Sequence, residues 1–301
     1  MNALLAHAPA AGLSTYAPGI YPNVPAEVYH RRELGVVNNG ALKLLASKTP
    51  AHYRAWVDAT DEADTPALAF GRALHCAVLE PEVYAATYVQ PVEHPYRRPT
   101  PAQRNAKKPS PETVAAVAYW DQWAMANAGK VEITAEDAAR IEGMRQSILR
   151  DPLARKLLTG GVAEETIVWD DPRTGLRCKA RADYHTAERG VVADLKTCED
   201  ASEEGFRIAA ARYSYHLQHA HYASAFQALG HELRAFLFVA VEKEPPYAVA
   251  VHTLLPESEA RGIALRDRAM DALDQCLRTD SWPAYEPRIH RIELPAWALR
   301  D

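Results

Sequence analysis

Val191, Val192, Ala193 and Leu195 are apolar on both faces of a short segment, yet Asp194 and Lys196 interrupt them. That pattern predicts a central strand buried on both sides. Asp and Lys are seldom buried unless paired or bound to a metal. The flanking pattern predicts two more strands, about Glu165 to Trp169 and Leu176 to Tyr184. A helix over roughly Tyr213 to Leu229 follows, then strands at Arg234 to Val241 and Tyr247 to Leu254. A last helix runs from about Pro256 to Arg278, with Glu257 and Glu259 at its positive end.

The first half reads as helices. One starts near Asn38 or Asn39, either of which can cap it, and stops before Pro50. A short one covers about Ala51 to Val57. Pro66 suits the first turn of a helix reaching Leu79, which Pro81 ends. Another spans about Pro111 to Ala128 and carries Trp120 and Trp123. Thr134 and Asp137 resemble a capping box for a helix to about Leu149. Helices followed by a β-β-β-α-β-β block predict an α/β fold with a mixed sheet. Residues 1–20 read as a flexible leader. Residues 21–301 read as one domain, with a helical part at about 38–150, a sheet-containing core at about 160–278 and an irregular tail at 279–301.

The hairpin from Leu176 to Thr197 holds the densest candidate chemistry. A turn centred between Glu188 and Arg189 pairs Asp183 with Asp194. Two carboxylates directly opposed on a sheet repel, and a cation between them turns repulsion into a binding site. Lys196 shares the face of Asp194, because strand side chains alternate. Two acids and a lysine on one face suit metal-assisted attack on a phosphate. An ordinary hairpin with a solvated charged face is the competing reading, and the apolar second strand argues against it.

Composition narrows the class. The chain is 48% hydrophobic and 24% charged, which is globular. No apolar run reaches a membrane span, and the start has no basic n-region of a signal peptide. Cys76, Cys178, Cys198 and Cys276 form no C-x2-C pair, which argues against a zinc ribbon and fits reduced thiols in the cytoplasm. A net charge of −5 disfavours nonspecific nucleic-acid binding by the whole surface. It leaves room for a local basic path: Arg97, Arg98, Arg104, Lys107 and Lys108 share a proline-rich stretch that reads as a mobile loop.

Gly71 and His75 lie four apart on one helix face. Glycine there costs about 1 kcal/mol relative to alanine, so a close backbone approach is expected. Glu80 and Glu82 follow at the helix end. Gln218 and Tyr222 share another helix face and can hold a phosphate or a water. His216, His219 and His221 point in three directions on that helix and make no single metal site. No P-loop and no G-x-S-x-G elbow is present.

Together these pieces resemble the RecE (exonuclease VIII) nucleases of the PD-(D/E)XK superfamily, close to the RecB nuclease group. Phe70 to Cys76 with Leu79-Glu80-Pro81 resembles the first motif. Asp183 and Asp194-Leu195-Lys196-Thr197 resemble the acidic motifs, and Gln218 with Tyr222 the later Gln-x-x-x-Tyr motif. The likeness runs from about residue 18 to the C-terminus. It departs at Ala182, where the superfamily pattern has proline, and at Arg72, where a small residue is common.

The resemblance implies a restriction-endonuclease-like fold and a Mg2+-dependent exonuclease acting on double-stranded DNA ends, with Mn2+ able to substitute. It implies degradation of one strand from its 5′ end, a 3′ overhang for a RecT-type annealing protein, and a homotetrameric ring. Asp183 and Asp194 would bind metal, with His75 and the Leu195 carbonyl as further ligands and Glu80 reaching a second metal through water. Lys196 would orient or deprotonate the attacking water or stabilise the developing charge, and Gln218 and Tyr222 would position the water, the Lys196 amine or the scissile phosphate. Arg72 and the basic stretch would contact DNA. An endonuclease or flap nuclease, or a non-catalytic DNA-binding relative, are the alternatives.

Overall fold

The computed structural model describes residues 12–59, 65–89, 93–295 and 298. Its strands are β1 (Gly19–Tyr21), β2 (Val36–Val37), β3 (Tyr88–Val89), β4 (Val131–Glu132), β5 (Val162–Asp170), β6 (Arg177–Thr186), β7 (Val191–Cys198), β8 (Ala235–Glu242) and β9 (Val249–His252). Its helices are α1 (Ala26–His30), α2 (Asn39–Ser47), α3 (Pro50–Asp58), α4 (Pro66–Leu79), α5 (Pro81–Thr87), α6 (Pro101–Arg104), α7 (Pro111–Ala126), α8 (Ala135–Arg150), α9 (Pro152–Leu157), α10 (Glu203–Arg212), α11 (Tyr215–Ala228) and α12 (Pro256–Thr279).

The main sheet is mixed, in the order β1-β5-β6-β7-β8-β9, with β2 added to the start of β6. Only β2–β6 and β7–β8 are parallel within it; α10 and α11 make the crossover between β7 and β8. Helices cover both faces. On one, α2, α3, α10, α11 and α12 pack through residues such as Leu42, Tyr53, Phe226 and Met270 against Trp169, Ala180 and Phe238. On the other, α4, α8 and α9 pack Leu74, Met144 and Leu157 against Leu195 and Val239. Hence β7 is covered on both sides, as its apolar pattern predicts. The expected α/β architecture with a mixed sheet between helices is the one observed.

Caps and prolines locate most helix ends. Asn38 Oδ1 accepts the Ala41 N–H at 2.8 Å and opens α2. Thr134 accepts the Asp137 N–H at 3.0 Å and opens α8. Helices α1, α5, α6, α9 and α10 lie where none is expected from the sequence. Pro81 both follows α4 and occupies the first turn of α5, so one proline marks a stop and a start.

The stretch expected to be a leader is partly structural. Residues 1–11 lie outside the described residues. From Leu13, which is fully buried, the chain packs onto the sheet. β1 pairs with β5 and covers its edge, which would otherwise offer unpaired backbone groups. The tail is irregular as expected, and it packs through Trp282, which stacks on Tyr53 at 5.9 Å, through the Pro283 carbonyl, which accepts the Ala51 N–H at 3.1 Å, and through Tyr285, whose ring meets His52 at 5.9 Å. Farther on, Ile289 is 94% exposed.

The proline-rich basic stretch is tethered rather than free along its described length. One guanidinium nitrogen of Arg98 donates to both Glu132 carboxylate oxygens at 2.8 and 2.9 Å, and the guanidinium lies over the Trp120 ring at 4.3 Å. Arg104 pairs with Asp121 at 2.6 Å. Thr100 and Gln103 close a capping box on α6. Arg97, Lys107 and Lys108 are exposed.

Candidate metal and phosphate site

The β6–β7 register follows the expected turn: Tyr184 faces Ala193, His185 faces Val192 and Thr186 faces Val191. Pairing stops one step before Asp183 and Asp194. The two strands part there, and Asp183 Oδ2 accepts the Leu195 N–H at 2.9 Å in place of a ladder bond. Direct opposition of the two carboxylates on one face is therefore corrected. The cause lies in β5 and β6. Glu164, in register with Asp183 between the pairs Ala163–Tyr184 and Glu165–Ala182, has φ of +53°. A non-glycine residue there is uncommon and strained. At this point the alternation shifts: Ala182 faces the first core, whereas Tyr184 faces the second. Glu164 and Asp183 sit at the kink.

The kink opens onto a cleft of about 650 Å³, lined by α4, the sheet and residues 23–30. Lys179 and Arg181 hold that N-terminal wall in place. The Lys179 ammonium donates to the Tyr29 and Arg31 carbonyls at 2.7 and 2.6 Å, and Arg181 donates to the Val24 carbonyl at 2.7 Å.

Within the cleft, His75 from α4, Glu164 from β5 and Asp183 from β6 bring one potential ligand atom each to within 4.8 Å of one another. His75 Nδ1 lies 3.5 Å from Asp183 Oδ2. Burial, then the Asp183 charge, push Glu164 up to about 8. Two crowded carboxylates and an imidazole fit a divalent cation, which would relieve the repulsion. Oxygen-rich ligation suits Mg2+, and the imidazole also admits Mn2+. Glu164 was not among the ligands expected from the sequence. Extending the β5–β6 hairpin register back from its turn would have found it opposite Asp183.

Asp194 stands beside this trio and not within it. It is 1% exposed; Gln218 Nε2 donates to its Oδ1 at 2.6 Å, and the Lys196 ammonium is ion-paired with its Oδ2. Burial pushes Asp194 up to about 6, against the pull of Lys196. Burial also disfavours charge on Lys196, but Asp194 and Asp183 more than offset it and raise its pKa. The Lys196 ammonium lies over the Tyr215 ring at 5.3 Å.

The other expected residues fall out as follows. Gln218 meets Asp194 as described. The Tyr222 hydroxyl donates to the Arg181 carbonyl, which anchors α11 to β6, and it lies within the field of Asp183 and Asp194. Leu195 meets the site through its N–H. Glu80 and Arg72 line the cleft, outside the trio. The described basic residues belong to the segment between α5 and α8 and line no part of this cleft. Gly71 also lines the cleft, but no backbone approaches it. A Cβ built there meets nothing within 4 Å, so the close approach expected from the sequence is replaced by open cleft. His221, fully buried, is held by the Lys179 carbonyl.

Among the described residues no helix is long and apolar enough to cross a membrane. No curated protein matches the sequence significantly. Among solved structures, a Eubacterium rectale protein provisionally described as an exonuclease superposes with a TM-score of 0.59 at 13% identity, over 92% of this chain and 97% of that one. At that identity the likeness is one of fold. A phage-related exonuclease from Haemophilus somnus 129PT is also 13% identical and covers 60% of this chain and 90% of its own, at a TM-score of 0.29. That score is too low to carry an argument. The family model of a PDDEXK-like domain of unknown function (DUF3799) matches residues 41–293, which include most of α2, the trio, the Asp194–Lys196 pair and the cleft apart from its N-terminal wall, and the chain belongs to that family.

Proposed function

We propose that the protein is a divalent-metal-dependent DNA nuclease, and specifically an exonuclease acting on duplex ends. The observation that carries this reading is the His75–Glu164–Asp183 trio beside the buried Asp194–Lys196 pair. A cation held by the trio would supply a Lewis acid and a more acidic bound water. Lys196, held protonated by Asp194, offers positive charge to the phosphate as it becomes pentacovalent. Gln218 holds Asp194 in place, so the lysine is aimed rather than free to swing. The roles of Asp194 and Leu195 as direct ligands, and of Glu80 through water to a second cation, remain part of this proposal on the strength of the sequence resemblance. So do 5′ to 3′ polarity, the 3′ overhang, the tetrameric ring, the RecT-type partner and a cytoplasmic setting.

End-labelled linear duplex digested beside covalently closed circles, with and without Mg2+, tests the reading. Mononucleotides from linear DNA and intact circles are expected. Internal cuts in the circles would make the protein an endonuclease. No metal-dependent digestion of either would leave a non-catalytic relative.

The basic segment has its own test. Replacing Arg97, Arg98, Arg104, Lys107 and Lys108 together by glutamine should flatten the salt dependence of duplex binding, by about 0.9 in the log–log slope for each phosphate no longer neutralised. Fewer nucleotides should also be released per encounter when a trap is present. Arg98 and Arg104 already have acidic partners, so most of the change is expected from Arg97, Lys107 and Lys108. An unchanged slope and unchanged processivity would reduce the segment to a solvated surface.

A further inference from the structure

We propose a second phosphate subsite beside the Asp194–Lys196 pair, with Lys43 as its cation, for a phosphate of the same nucleic-acid strand next to the one being hydrolysed. The inference rests on the nuclease reading and names a residue outside the sequence motifs. Lys43 projects from α2, and its ammonium lies over the Tyr215 ring at 5.6 Å. Lys196 lies over that same ring at 5.3 Å. One aromatic ring thus carries two lysines, and their surroundings differ. Lys196 is neutralised by Asp194. Asp194 is in turn occupied by Lys196 and Gln218, and among the described residues no carboxylate forms an ion pair with Lys43.

A half-buried ammonium without an anion is costly to keep. Burial, then the Lys196 charge, lower Lys43 to about 8, while Asp194 opposes them only in part. The apoprotein therefore holds an unmatched cation within reach of its proposed catalytic lysine. An arriving anion would remove both penalties. A nucleic-acid strand brings such anions at a fixed spacing, one charge per roughly 3.4 Å of duplex axis on each strand. Both ammonium groups lie within 5.6 Å of one ring centroid, so two phosphates of a single strand can meet them together. Lys196 then meets the scissile phosphate, and Lys43 a neighbour. Binding the neighbour fixes the register of the strand over the metal trio, which is how remote binding contributes to positioning.

The test uses the full chain with Lys43→Gln and Lys43→Arg. Duplex binding is followed by fluorescence anisotropy with Ca2+ in place of Mg2+, across a salt series. Lys43→Gln should lower the slope by about 0.9, the value for a single neutralised phosphate, and Lys43→Arg should restore it. In Mg2+, KM for linear DNA should rise about tenfold in Lys43→Gln, with a much smaller change in kcat. Bis(p-nitrophenyl) phosphate has a single phosphate and nothing for the subsite to hold. Its kcat/KM should fall far less than that of DNA. An unchanged salt slope would overturn the subsite. So would equal losses on DNA and on the small diester, which would make Lys43 a support for Lys196 alone. If the parent protein cleaves DNA and Lys43→Gln does so with the same KM, only the subsite fails. If the parent neither binds nor cleaves DNA, the nuclease reading fails with it.

Discussion

Glu164→Gln is expected to abolish metal-dependent hydrolysis and, in the absence of metal, to make the protein more stable. Glu164 is crowded by Asp183 in a partly buried cleft and is pushed up to about 8. The fold therefore prefers its neutral form. Stability from that neutral carboxyl is complete below the ordinary Glu pKa, about 4.3, and is lost as pH rises through about 8. Glutamine is neutral throughout. The melting-temperature gain of the variant should therefore widen between those two pH values and then level off. A gain of about 2 °C or more near pH 8 is expected. Metal ligands bind deprotonated, so metal binding to the parent at pH 7 should release a proton, and affinity should rise toward pH 8. Calorimetry in buffers of different ionisation enthalpy reads that proton directly. Undiminished metal affinity in the variant would remove Glu164 from the ligand set.

Lys196→Met should lower turnover by at least about 10²–10³-fold, the contribution of one aimed electrostatic or acid–base group. It should also destabilise the fold. Without the ammonium, Asp194 is a buried carboxylate held by Gln218 alone, and breaking a buried pair costs about 3–5 kcal/mol. The double variant Asp194→Asn/Lys196→Met separates the two effects. It removes both charges, so thermal stability should return, while hydrolysis stays lost. Mg2+ affinity should survive in Lys196→Met, because the lysine is not in the trio. Collapse of metal affinity together with activity would show that the role given to Lys196 is wrong. Asp194→Ala alone should not stabilise the apoprotein, contrary to the simple picture of two opposed acids, because it strands Lys196.

Much of the site is legible in the chain because it depends on local rules. His75 sits one helical turn after Gly71, and Gln218 sits on the buried face of α11. The β7 pattern, apolar on both sides around Asp194 and Lys196, announces a buried pair that needs a reason. What escapes is every relation that depends on where a strand departs from its ideal. Alternation assumes a regular pleat, but Glu164 at positive φ shifts β5 and β6 by one face. That shift moves Asp183 out of opposition with Asp194 and toward His75. It also leaves Glu164 and Asp183 clustered with His75, while Asp194 pairs with Lys196.

The sequence by itself determined the order of the main elements, the hairpin register around Glu188 and Arg189, the burial of β7, and the residue types at His75, Asp183, Asp194, Lys196 and Gln218. These follow from propensity, capping and period, which act over a few residues at a time. Only the tertiary structure decided that His75 meets Glu164 and Asp183, that Tyr222 anchors to the Arg181 carbonyl, and that Lys43 shares the Tyr215 ring with Lys196. Each of these contacts joins elements far apart in the chain. Their geometry is set by how α2, α4 and α11 pack across a kinked sheet, and no local pattern encodes that packing.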